Sequence, residues 1–357
     1  MKECDHTMMK RIWKTLLPVL LVLVLAACSG PTASPTTPTS ALEATSTNPE
    51  VSPTATAEPS PTPQPGKLVL AAPVGSESQS LQTVLANAAG QAGLAFESRG
   101  ELQPGDLTPD VKVVVLPAMP ANLNDLLAAA PGTQFVVVSD ADLTAVGNLS
   151  VIRRKVEHQA FLGGFISVLL STDWRAAGLL PNDGPLGEKL AEAFRNGGSY
   201  FCGVCAPGWP LYMTYPQVGG QPAATDGPTW QATAAGLFDA QKAEVFYLST
   251  EAAKPEVINY LRGLQQFNTE VLVVGVQPPP DELAAQWAAT VSFDTAAALK
   301  QILPGVLAGT GGASMEAPLM LEHVNEDNLG AGRIRLVEEL VDEIAAGRIN
   351  PFTVPVE

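Results

Sequence analysis

The sequence predicts an α/β fold of two doubly wound parallel-sheet lobes, and three observations point there. From Lys67 onward, short apolar runs of strand character alternate with stretches of helical periodicity, the pattern of a parallel sheet with helices on both faces. The chain has 357 residues, 46% of them hydrophobic, enough for two lobes with cores of their own. The third observation is the block at 157–181, EHQAFLGGFISVLLSTDWRAAGLLP. Phe161, Phe165, Val168 and Leu169 recur at three- and four-residue steps, as on one helix face. Gly163 and Gly164 leave that helix without bulk for about a turn. Close approach to a neighbouring backbone suits this, because each Gly costs up to ~1 kcal/mol against Ala. Residues 176–180 then read as a strand buried on both faces, ended by Pro181.

The chain opens with an export signal. Lys10, Arg11 and Lys14 carry positive charge, and 16–27 is almost wholly apolar, short for a spanning helix and suited to a signal sequence. Met8 and Met9 serve as starts as well as Met1 does. The run Leu25-Ala26-Ala27-Cys28 resembles a lipobox, the bacterial lipoprotein signal. That resemblance implies cleavage before Cys28 and acylation of its thiol with palmitate-type chains. The plain alternative is an ordinary signal peptide in which Cys28 is incidental. Residues 29–66 are Pro, Thr, Ser and Ala with hardly an aliphatic side chain. They predict a disordered tether, partly polyproline II, reaching ~35 Å as a coil and ~115 Å extended.

The folded part follows in order. In the first lobe, strands are predicted at 68–74, 94–97, 111–116 and 134–139, with helices at 81–92 and 122–130 and a short fifth strand at 148–152. The second lobe begins with the helix and strand of 157–181. A helix at 186–196 ends at Gly197-Gly198, a C-terminal stop, before a strand at 199–204 and a Pro/Gly-rich loop at 205–226. Helices at 230–238 and 254–265 alternate with strands at 244–248 and 271–276. Pro278-Pro279-Pro280 marks the expected return to the first lobe. A strand at 290–293, a helix at 296–308 and a final amphipathic helix at 331–346 complete the chain. That last helix has Ile334, Val337, Leu340, Val341 and Ile344 on one stripe.

Several of these segments resemble the basic membrane protein family. The block at 157–181 is similar to its "aFLaGylAal…kvGfi" segment. FVVVSD at 135–140, EVFYLST at 244–250, VLVVGVQ at 271–277, VSFDTAAALKQILPGVLAG at 291–309 and IAAGRINPF at 344–352 resemble later family segments, in the same order. The resemblance implies the type I periplasmic-binding-protein fold, with two lobes joined by a hinge. It implies a lipid-anchored solute-binding protein of an ABC importer, whose known members mostly bind nucleosides. It places lobe 1 at 67–150 plus about 278–311, and lobe 2 at 151–277 plus about 312–357.

In open parallel α/β sheets, ligands sit beyond the carboxyl ends of the strands. The loops there supply the candidate ligand contacts: Ser76, Glu77, Met119, Asp140, Asp183, Trp209, Tyr212, Thr250, Glu251 and Gln277. Ser76 and Asp183 also suit helix N-caps. Trp209 and Tyr212 lie among Pro207, Gly208, Pro210 and Pro216, a rigid setting for rings that stack a flat ligand; a surface loop held by its own aromatics has the same composition. The chain departs from the family in places. Gly75-Ser76-Glu77-Ser78-Gln79 lacks the family's aromatic, Gln277 stands where the family has Asp, and Ser292-Phe293-Asp294 lacks its Lys. Asp140 carries over cleanly.

The formal net charge of −16 argues against nucleic acid as a partner, since little would neutralise phosphates. Cys202 and Cys205, as C-G-V-C, predict a disulfide outside the cytoplasm. A thioredoxin-like site needs that motif at a helix N-terminus, whereas the predicted setting is a strand end. His158 and His323 are the only histidines after Cys28 and do not cluster with each other, so no zinc site of about four ligands is predicted. No nucleophile elbow is present. The expectation is therefore no enzyme and no cofactor. The chain reads as a solute-binding lipoprotein on the extracytoplasmic face of a bacterial membrane, with a small polar solute and an ABC permease as partners. A cell-surface sensor or interaction protein keeping the fold is the alternative, and a thiol–disulfide oxidoreductase using Cys202 and Cys205 is a weaker one.

Overall fold

The computed structural model describes residues 65–72, 79–264 and 271–353, all within one compact unit, Thr62–Glu357. The export signal, Cys28, the tether, Ser76 and Glu77 lie outside the described residues. The first lobe runs β1 (Lys67–Ala71), α1 (Gln79–Gln91), β2 (Ala95–Arg99), β3 (Val111–Leu116), α2 (Leu123–Ala129), β4 (Gln134–Ser139) and β5 (Leu149–Arg153). The second runs α3 (Val156–Leu170), β6 (Ala176–Pro181), α4 (Lys189–Cys202), β7 (Gln217–Gln221), α5 (Gly227–Asp239), β8 (Val245–Leu248), α6 (Pro255–Leu264), β9 (Leu272–Gly275) and β10 (Trp287–Phe293). The chain then passes through α7 (Thr295–Leu307), β11 (Ser314–Glu316), β12 (Leu319–Glu322), α8 (Glu326–Leu329) and α9 (Ala331–Ala345).

Two six-stranded sheets result, ordered β11-β5-β4-β3-β1-β2 and β12-β10-β9-β8-β6-β7. The first is parallel throughout. The second is parallel except for β12, which runs antiparallel to β10. Helices cover both faces, so the central strands read as near-continuous apolar runs instead of alternating. In the first lobe, Leu68, Leu70, Val113 and Val115 pack with α1 and α7. On the other face, Val69, Val114, Phe135 and Val137 pack with α2. In the second lobe, α3, α4 and α9 cover one face and α5 and α6 the other.

Glycines set the α3–α4 contact. A Cβ on Gly164 would sit 1.9 Å from the Phe194 carbonyl oxygen, and one on Gly197 would sit 1.8 Å from that of Phe161. The two backbones therefore touch at Gly164, as the bare turn predicts, whereas Gly163 makes room for the Tyr247 ring. Gly197-Gly198 belongs to the same seam and is not a helix stop. This corrects the expected boundary: α4 continues to Cys202, and 199–204 is its last turn and exit, not a strand. The strand that follows is β7, inside the expected loop. Gly219 in that strand lets α5 lie close, since a Cβ there would meet the Thr233 methyl at 2.4 Å.

Three connections link the lobes: β5 to α3, β10 to α7, and β11 to β12. They are hydrogen-bonded side by side, Ala317 N–H to Arg153 O at 2.8 Å and Asp294 N–H to Pro318 O at 2.8 Å. The lobe boundaries shift accordingly. The return to the first lobe comes after Phe293, where Asp294 caps α7 by accepting from Ala297 N–H at 2.8 Å. It does not come at the prolines of 278–280, because β10 pairs with β9 in the second sheet. Ser314–Glu316 belongs to the first sheet, beside β5.

Candidate functional site

Because every strand but β12 points the same way within its sheet, the loops at the carboxyl ends gather along one edge. A cleft of about 480 Å³ opens there. Asp140 and Arg154 contribute from the ends of β4 and β5, and Gln159 and Ala160 from α3. The second lobe adds Asp183 after β6, Tyr247, Ser249, Thr250 and Glu251 at the end of β8, and Val276 after β9. Ser292 and Phe293 complete the wall from the lobe connection.

Asp140 is held by Arg154 in a two-pronged pair, Nε to Oδ1 at 2.6 Å and Nη2 to Oδ2 at 2.8 Å. The Arg154 backbone N–H donates to Ser139 O at 2.9 Å, which aligns the two side chains. Each carboxylate oxygen keeps a further lone pair for a donor in the cleft. Asp183 is exposed, and its Oδ1 accepts from Ala223 N–H at 2.8 Å. It ties the loop after β6 to the loop after β7 and does not cap α4, which starts only at Lys189. The Ser249 hydroxyl accepts from Ala252 N–H at 3.3 Å, fixing the turn that presents Thr250 and Glu251.

Tyr247 is buried, its ring tilted against Phe194 at 5.4 Å and lying where a Gly163 side chain would be. Burial, and then the Glu251 charge, pushes its phenol above the usual range. It therefore stays protonated. Gln159 donates to Val291 O at 2.7 Å, joining α3 to β10 beneath the cleft. The Ser292 hydroxyl is buried without a hydrogen-bond partner among the described residues. Among the described residues, the lining holds three carboxylates, Asp140, Asp183 and Glu251, against one guanidinium, Arg154.

The lobe connection carries charges of its own. Arg153 pairs with Glu157 at 3.2 Å and with Asp142, and Lys155 pairs with Glu316 at 2.6 Å. His158 lies among them. Burial, and then the Lys155 and Arg153 charges, holds its imidazole down to about 4, against a partial pull upward from Glu316.

The sequence-predicted site residues divide into groups. Asp140, Asp183, Thr250 and Glu251 line the cleft. Met119 is half-exposed at the end of β3 and does not line it. Gln277 lines a separate pocket of about 100 Å³ with Pro278, Pro280 and Trp287, where its carbonyl accepts from the Thr290 hydroxyl at 3.1 Å. Trp209 and Tyr212 are exposed and lie away from the cleft. The reason is the length of α4. A helix leaving the carboxyl end of β6 and running to Cys202 delivers the chain to the amino edge of the sheet. Tyr215 marks that edge by donating its hydroxyl to Gln241 O, just ahead of β8. Arg154, Gln159, Tyr247, Ser292 and Phe293 are cleft residues that strand-end reasoning did not single out.

Cys202 and Cys205 form a disulfide with Cα atoms 5.4 Å apart. It sits at the C-terminal end of α4, the opposite end from the one that activates a thiol in a redox motif. Among the described residues, no group of three His, Cys, Asp or Glu side chains could hold a metal ion. Nor is any described helix long and apolar enough to cross a membrane.

No family model matches the chain, and neither does any curated sequence. Solved structures do. An ABC transporter system solute-binding protein from Aeropyrum pernix K1 superposes with a TM-score of 0.57 at 16% identity, over 82% of this chain and 94% of that one. One from Conexibacter woesei gives 0.56 at 17% identity, over 80% and 98%. The arabinose-binding protein AraP from Geobacillus stearothermophilus gives 0.56 at 12%, over 74% and 98%. With its paired six-stranded sheets and three adjacent connections, the chain has the type I periplasmic-binding-protein fold that these structures share.

Proposed function

We propose that the protein is an extracytoplasmic solute-binding lipoprotein of an ABC importer, anchored through Cys28 and delivering a small polar solute to a permease. The observation that carries this reading is the cleft itself, set at strand carboxyl ends and flanked by three hydrogen-bonded connections about which two lobes can close. The protein's structural neighbours, two solute-binding proteins and an arabinose-binding protein, support it.

The lining narrows the solute. Carboxylates accept from hydroxyl groups, and Arg154 and the protonated Tyr247 supply donors. Phe293 offers a flat apolar face. A polyhydroxylated solute fits this set, either a free sugar or the ribose of a nucleoside. The excess of carboxylates over Arg154 disfavours anionic solutes such as sugar phosphates. The solute is held and released without chemistry.

The test is a thermal-shift screen of the chain against sugars, nucleosides, bases and amino acids. A cognate solute at about 100 times its dissociation constant stabilises the protein by about 2.7 kcal/mol. Asp140→Asn weakens that solute by roughly tenfold or more, the worth of one charge-assisted hydrogen bond, and leaves the unliganded melting temperature nearly unchanged. A panel without any shift overturns the proposal.

A further inference from the structure

The exposed large apolar side chains are not spread evenly. Tyr200, Phe201, Val204, Trp209, Leu211 and Tyr212 all project from one tip of the second lobe, with Val204 at 75%, Trp209 at 60%, Leu211 at 66% and Tyr212 fully exposed. From Asn196 to Pro216, the stretch that carries the tip, no residue is charged, in a chain of which 16% is. A run this long without charge, on a protein of net charge −16, is a local exception that a merely solvated loop does not require.

The tip is built to hold its shape. The disulfide closes its base, and Tyr215 N–H donates to Cys205 O at 2.8 Å. Cys205 and Tyr215 are buried beneath it. Tyr200 packs edge-on against Phe161 at 5.7 Å, and Phe201 against Phe165 at 5.5 Å. Tyr212 has a positive φ of 65° with its ring wholly outside. The tip also lies at the amino edge of the sheet, so a solute in the cleft does not reach it and lobe closure does not cover it.

We propose that this charge-free aromatic tip is a lipid-contact surface, seating its rings in the interfacial zone of the bilayer to which the chain is anchored. Trp and Tyr favour the headgroup level, with Val, Leu and Phe side chains reaching just below it. The anchor reading of Cys28 supplies the bilayer as neighbour, and a tethered surface meets its target at high effective concentration. A rigid tip loses little conformational freedom on insertion. A second copy of the chain is the less suitable occupant, since each copy brings the same negative charge. The inference rests on the lipid-anchor reading of Cys28.

The experiment places the full chain in phosphatidylcholine vesicles whose acyl chains are brominated close to the headgroup. Tryptophan quenching is compared with that of Trp209→Phe, a benign change at an exposed ring. Trp230 and Trp287 are buried and the half-buried Trp174 is common to both proteins, so the difference reports Trp209. The expected result is roughly twofold stronger quenching in the wild type, abolished by Leu211→Ser with Tyr212→Ser, in keeping with an interfacial ring. Equal quenching of wild type and Trp209→Phe, with Trp209 open to aqueous iodide, overturns the inference. So does a Trp209 shielded from both quenchers in a protein that sediments as a dimer. The mass of the N-terminal peptide reads the Cys28 acylation separately, so failure of the anchor is told apart from failure of the tip.

Discussion

The helix layers over the two sheets meet the same packing need in different ways. In the second lobe, α3 buries twelve of its fifteen residues and touches α4 backbone to backbone. In the first, α1 buries Leu81, Leu85 and Ala89 of its thirteen, and its contact with α7 is loose enough to leave a groove of about 520 Å³ beside Val84, Ala88, Leu303 and Pro304. A glycine accordingly means different things in the two layers. On α3 and α4 it is a missing side chain whose space is filled, by backbone at Gly164 and Gly197 and by the Tyr247 ring at Gly163. On α1, Gly90 has nothing within 4 Å of where a Cβ would be and costs helix propensity without return.

The sharpest way to break that contrast is to fill the seam. Gly164→Val and Gly197→Val each drive a branched side chain into a carbonyl that already lies under 2 Å from the Cβ position. Flexing side chains cannot relieve a backbone clash, so a loss above about 3 kcal/mol, or failure to fold, is expected. Urea melts of the purified variants measure it. A middle-sized effect comes from His158, on the first turn of α3 at the lobe connection, where α1 has no titratable counterpart. Its folded pKa of about 4 lies below the ordinary 6.5. Between those values the unfolded chain binds the proton that the folded chain refuses, so stability falls as pH drops from 6.5 toward about 4. Above 6.5 the residue contributes no slope. His158→Gln flattens that limb of the urea-midpoint profile; an unchanged profile means the imidazole is open to solvent. The smallest effect is Gly90→Ala, which gains about 0.5–1 kcal/mol from helix propensity alone. If it destabilises instead, α1 is packed as tightly as α3 and the contrast fails.

Much of the fold was legible. Runs such as Val113-Val114-Val115 and Phe135-Val136-Val137-Val138 read as central strands because both their faces are covered, which leaves no helical alternative of that length. The helix at α9 showed its stripe plainly. Misreadings came where one signal has two physical causes. Gly197-Gly198 resembles a helix stop, but the same residues permit close approach of a second helix, and the choice depends on whether Phe161 O is nearby. A stop read at Gly197-Gly198 makes Tyr200-Phe201-Cys202 a strand and sets the aromatic loop at its carboxyl end, whereas α4 runs on to Cys202 and delivers that loop to the amino edge. The strands β7, β11 and β12 were missed because their pairing partners, β6, β5 and β10, are what make them strands.

The site shows the same division. Asp140, Asp183, Thr250 and Glu251 could be named because a strand end followed by a polar residue is a local pattern. Arg154, Gln159 and Ser292 could not, since they enter the cleft only through the way the chain crosses between lobes.

By itself the sequence determined what short-range chemistry determines: the alternation of strand and helix, the buried runs, and the need for a bare turn at Gly163-Gly164. Tertiary structure decided which backbone fills that turn, which sheet takes β10 and β11, and which loops face the cleft. The physical reason is range. Propensity and periodicity act over a few residues, whereas a helix seam, a sheet edge and a cleft wall are formed by groups far apart in the chain, whose meeting is settled only when the whole core packs.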